Sequence, residues 1–87
     1  MVKTIREFET ALEKRIGGLV PAENAGFLND EGIKTLEAYR KLLNIIVFHD
    51  NFKEFAEDEE TKEIFSKYSD CKALKHVERS LNKRIEK

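Results

Sequence analysis

The chain has 87 residues, 38% of them charged, yet its formal net charge is only −1. That balance excludes bulk attraction to nucleic acid or to acidic membranes, and a 40% hydrophobic content with eight aromatics excludes disorder. The length fits one domain, 1–87, with a thin core.

A single cysteine, Cys71, leaves no internal disulfide and no cysteine-based metal cluster. Glutamine is absent, and Cys and Met occur once each, a profile that leans toward a heat-adapted, thermophilic source, although five asparagines weigh against it. The N-terminal stretch is charged from Lys3, so a secretory leader is not expected. The longest near-apolar run, Leu42 to Phe48, is too short to span a bilayer, so no membrane partner is expected and a cytoplasmic location is the default.

Residues 3–16 place Ile5, Phe8, Leu12 and Ile16 on one stripe of a helix, with charges on the other face. Gly17-Gly18 is expected to stop that helix. The stretch GGLVPAENAG, residues 17–26, has glycines but no Lys-Ser/Thr pair after them, so it does not resemble a phosphate loop. Proline suits a first helical position and glycine the position past an end, which predicts a separate helical turn at 21–25 closed by Gly26. Leu19, Val20, Phe27 and Leu28 are expected to pin that turn to the core.

Asn29 followed by Asp30 and Glu31 is a helix start. The second helix is predicted over 30–48. On a wheel, Ile33, Leu36, Tyr39, Leu43, Ile46 and Val47 share one side, and Leu42, Ile45 and Phe48 extend it. The polar remainder is a strip of Lys34, Glu37, Lys41 and Asn44. A surface helix needs an apolar arc of roughly 100°, and this one is about twice as wide, so it requires cover from two sides: as the central helix of a bundle, or as part of an interface.

His49, Asp50 and Asn51 are weak helix formers, and Asn51 with Glu54 resembles a capping box. A break is expected there. A third element is predicted over 51–68, itself broken near 57, where Asp58 caps the acidic run 57–61. Ser69-Asp70 offers a cap for a last helix over 70–86, with Leu74, Val77, Leu81 and Ile85 inward and Cys71 at the edge of that stripe. The fold class is all-α, a compact bundle of about four helices.

The last helix carries the most organised polar feature. Lys72, Lys75, His76, Arg79, Lys83 and Lys87 fall within one arc opposite the apolar stripe. Such a row could follow a phosphate backbone. Its ordinary explanations are a solvated face, the preference of helix C-termini for cations, or pairing with the acidic run 54–63 within or between chains. A helix-turn-helix rhythm over 61–84 lacks the glycine common in such turns.

No chemistry assembles. The acids Glu57, Asp58, Glu59, Glu60 and Glu63 lack the spaced ladder and glycine of a calcium loop. His49 and Asp50 are adjacent, and adjacent residues on a helix do not face each other. His76 lies off the face of Cys71. Cys71 reads as a small core residue. No catalytic, metal-binding or cofactor-binding residue is assigned, and the chain reads as no enzyme.

The expected function is a protein–protein interaction module that self-associates, with a homodimer favoured on symmetry grounds. Leu42, Ile45, Phe48 and Phe52 are the expected contacts. The rival is nucleic-acid or anion binding through Lys72, Lys75, Arg79 and Lys83.

Overall fold

The computed structural model describes residues 4–85. Among these residues five helices follow in order: α1 (Ile5–Asn24), α2 (Asp30–Ile46), α3 (Phe52–Glu57), α4 (Glu59–Lys67) and α5 (Lys72–Ile85). Among the described residues there is no strand. The all-α bundle expected from periodicity is present, with the third element divided into α3 and α4.

The first helix differs from its expected form. α1 runs through Gly17, Gly18 and Pro21 as one element of 20 residues, so there is no separate turn at 21–25. Two glycines in a helix interior each cost roughly 1 kcal/mol relative to alanine, and an interior proline forfeits a ladder hydrogen bond. Packing outweighs these terms: Ile16 and Leu19, on either side of the glycine pair, both lie against the core. The closing role of Gly26 is as expected. Its φ is +75°, the left-handed region glycine adopts freely. Its N–H donates to the Glu23 carbonyl, and the Phe27 N–H to that of Ala22, at 3.1 and 2.8 Å. This is the paired-bond helix stop known as the Schellman motif. Phe27 itself is 83% exposed and pins nothing to the core. At the other end, Thr4 caps α1 by accepting from the Glu7 N–H at 3.2 Å.

Asn29 caps α2 as expected, its Oδ1 accepting from the Gly32 N–H at 2.8 Å. A Cβ at position 32 would sit 3.1 Å from the Leu28 side chain and 3.2 Å from that capping oxygen, so glycine leaves room for both. α2 ends at Ile46, two residues short of the expected limit. Tightened bonds close it: the Phe48 N–H donates to Ile45 and the His49 N–H to Ile46, each at 3.1 Å.

Most of the wide apolar arc of α2 is covered by the chain itself; Ile33, and Val47 and Phe48 past the helix end, are not. α1 packs along one side, and α4 and α5 on the other. Leu36, Ala38, Tyr39, Leu42, Ile45 and Ile46 are consequently buried. All of these but Leu36 meet Ile5, Phe8 and Leu12 of α1, Phe55 of α3, Ile64 and Phe65 of α4, and Leu74, Val77 and Leu81 of α5 in one core. Of the stripes expected on α1 and α5, Ile5, Phe8, Leu12, Leu74, Val77 and Leu81 are buried and Ile16 and Ile85 partly so, and Cys71 is fully buried. Rings interlock at one end: Phe8 meets Phe52 and Phe55 edge-on, with centroids 5.8 and 6.3 Å apart.

The short helices follow their caps. Asn51 accepts from the Glu54 N–H at 2.9 Å, and Asp58 from the Glu60 N–H at 2.9 Å. Ser69-Asp70 does not cap α5. The Cys71 carbonyl accepts the first helical bonds, from Leu74 and Lys75. The Asp70 carboxylate instead reaches Lys34 of α2 at 3.7 Å.

Candidate interaction surface

A buried core raises the question of which apolar groups it leaves out. Among the described residues, four large ones are substantially exposed: Phe27, Ile33, Val47 and Phe48. Phe27 and Ile33 lie near the start of α2, Val47 and Phe48 just past its end. Of the four contacts expected from sequence, Leu42 is 0% and Ile45 7% exposed. Both belong to the interior because α1 and α4–α5 close over α2 from opposite sides. Phe52 is half-buried against Phe8. Phe48 alone of the four stands free, 84% exposed.

The turn that carries Phe48 is held at several points. The guanidinium of Arg6, on α1, donates to the Ile46 carbonyl at 3.0 Å and also to the His49 carbonyl. A cation thereby adds a second donor to the Ile46 carbonyl, which also accepts from the His49 N–H, at a helix end where the dipole favours positive charge. The same guanidinium pairs with Glu9 at 2.6 Å. On the far side of the turn, His49 Nε2 meets Asp58 Oδ2 at 2.8 Å. The His49 ring also lies against Phe55, centroids 6.3 Å apart. Asp58 is held below the usual carboxylate range, first by the His49 hydrogen bond and then by the Glu60 backbone N–H. An aromatic side chain is thus displayed in water from a turn whose backbone is fixed on both flanks.

Sequence reasoning missed this arrangement. It weighed His49 only against its neighbour Asp50 and set that pair aside, whereas the partner is Asp58, nine residues on. α3, six residues long, returns the chain so that the cap of α4 lies beside the turn after α2. Nothing in the sequence marked Arg6 as the group that closes α2.

The second candidate surface is α5. Lys72, Lys75, His76, Arg79 and Lys83 are exposed, and none has a carboxylate within ion-pair distance among the described residues. Lys87 lies outside the described residues. The acidic run does not neutralise this stripe within the chain.

A groove of about 340 Å³ between α2 and α4 is lined by Lys41, Asn44, Ile45, Glu60, Glu63, Ile64, Lys67 and Tyr68. Lys41 Nζ donates to the Tyr68 hydroxyl at 3.3 Å, a contact that raises the lysine pKa above its ordinary value. Lys41 and Lys67 both stand over the Tyr68 ring. The groove is open and, among the described residues, no ion pair joins its lysines to Glu60 or Glu63; it presents no nucleophile next to a base. Among the described residues, no three of His, Cys, Asp or Glu converge as metal ligands, and no helix is long and apolar enough to cross a membrane.

Compared with known proteins, the chain matches no family model, no curated protein and no solved structure.

Proposed function

We propose that this chain is a non-enzymatic protein–protein interaction module that associates with itself, and that Phe48 is the centre of the contact. The observation that carries this reading is an aromatic ring 84% exposed on a turn fixed by Arg6 on one side and by the His49–Asp58 bond on the other. Binding energy concentrates in a few aromatic anchors, and a contact already ordered before binding loses little entropy on association. Val47 adds apolar area beside it, and the half-buried Phe52 lies close in the chain. A small domain with a thin core gains stability from association, and a symmetric dimer is the commonest outcome.

The test is the mass of the chain in solution. Sedimentation at tens of micromolar is expected to give a dimer that Phe48→Ser converts to monomer; a wild-type monomer under those conditions overturns the reading.

A second reading, nucleic-acid binding through α5, draws on the unpaired Lys72, Lys75, Arg79 and Lys83. The nearly neutral chain weighs against it. A gel shift with mixed DNA and RNA at low salt decides it: no retarded species ends that reading.

A further inference from the structure

Lys72, Lys75, Arg79 and Lys83 of α5 and the acids of α3 and α4 are exposed and do not meet. Over 72–85, five cations accompany one acid, Glu78; over 54–63, six acids accompany one cation, Lys62. No ion pair joins the two sets among the described residues. The way α4 is turned explains this. Its Lys62 and Ser66 line the groove shared with α5, whereas Glu60 and Glu63 line the groove shared with α2. On α5, Leu74, Val77 and Leu81 enter the core, which leaves Lys72, Lys75, Arg79 and Lys83 on the outside. Opposite charges therefore occupy separate faces, and one copy does not neutralise itself.

From this complementarity we infer that the basic face of α5 docks a second copy of the same chain, receiving that copy's Glu54, Glu57, Glu59, Glu60 and Glu63. The inference rests on the self-association reading and supplies its polar, orienting part. All five acids are exposed. From Lys72 to Lys83 the stripe extends about 16 Å at the helical rise of about 1.5 Å per residue, long enough to meet several carboxylates together. Stripe against stripe repels, whereas stripe against acids attracts and fixes the relative orientation. In a two-fold pair each copy offers both faces, so the contact forms twice. The lysines that share the groove with Glu60 and Glu63 are engaged: Lys41 with Glu37 and Tyr68, Lys67 over the Tyr68 ring. A nucleic acid would use the stripe alone and leave the acidic face unmatched.

Charge-reversed variants of the full chain test this, with circular dichroism showing that each keeps its helices. Sedimentation equilibrium compares wild type at about 50 and about 500 mM NaCl, between which the dissociation constant is expected to rise about tenfold or more through screening. The double variants K75E/R79E and E60K/E63K are each expected to weaken the dimer by at least about tenfold, and their equimolar mixture is expected to restore it. A mixture that stays monomeric overturns the inference. So does a dimer indifferent to salt and to both reversals; if Phe48→Ser still dissociates that dimer, the Phe48 reading survives alone. A dimer lost on charge reversal but kept in Phe48→Ser supports the α5 docking and removes Phe48 from the contact. A wild-type monomer at low salt overturns both, and binding of mixed DNA that K75E/R79E abolishes then assigns the stripe to nucleic acid.

Discussion

His49 Nε2 lies 2.8 Å from Asp58 Oδ2, and the other oxygen of the same carboxylate accepts from the Glu60 N–H at 2.9 Å. One side chain therefore starts α4 and restrains the turn that carries Phe48. Replacing Asp58 tests both roles. Asp58→Ala removes the cap and the histidine partner and is expected to destabilise the fold by about 1–2 kcal/mol. Asp58→Asn keeps a capping oxygen and is expected to lose less, measured by urea unfolding. The pH dependence has a definite sign. The folded-state pKa of Asp58 lies below its ordinary value, so its contribution is present at neutral pH. It is lost as pH falls through the ordinary carboxylate range toward the lower folded value. In Asp58→Asn that share of the acid sensitivity is expected to disappear.

The glycines of α1 make the second prediction. A Cβ at Gly17 or Gly18 would meet nothing within 4 Å, and both positions are helical. Gly17→Ala and Gly18→Ala are each expected to stabilise the chain by about 0.5–1 kcal/mol, because alanine loses less backbone entropy on folding. Gly26 has equal room but a φ of +75°, so Gly26→Ala is expected to destabilise by about 1 kcal/mol. Thermal unfolding of the three variants checks the opposite signs.

Phe48 and Phe55 are separated by seven positions and by the surface of the protein. Phe55 is fully buried, whereas Phe48 is 84% exposed. Phe55→Ala is expected to cost about 3–5 kcal/mol of folding stability. Phe48→Ser is expected to shift monomer stability by less than about 0.5 kcal/mol, as surface changes do, while weakening association. Denaturant midpoints at low protein concentration, beside sedimentation, separate the two effects.

Thr61 offers a fourth test. It is fully buried, and its hydroxyl has no hydrogen-bond partner among the described residues. Thr61→Val replaces that hydroxyl with a methyl group of similar size and is expected to stabilise the fold by about 1 kcal/mol, the desolvation penalty of an unpaired polar group. A loss of stability in Thr61→Val would show that the hydroxyl is satisfied in solution.

The sequence by itself determined the helical class and most of the punctuation. Apolar spacing marked Ile5, Phe8 and Leu12 on α1 and Leu74, Val77 and Leu81 on α5, and all six are buried. Asn29, Asn51 and Asp58 were legible as caps, since a capping oxygen and the N–H it accepts from lie within three residues. Both signals are local, set by the periodicity of the backbone and the reach of one side chain. Where local rules and packing conflicted, the tertiary structure decided. Gly17, Gly18 and Pro21 read as a stop, yet α1 continues through them because Ile16 and Leu19 pack on the core. The width of the apolar arc on α2 showed that two sides needed cover but not what would cover them. α1 on one flank and α4 and α5 on the other enclosed Leu42 and Ile45 and left Phe48 outside. The hold of Arg6 on the end of α2 joins groups 40 positions apart, and His49 meets Asp58 across the break between α2 and α4. Such contacts exist only once the helices have docked, because no spacing along the sequence encodes the direction in which the chain returns.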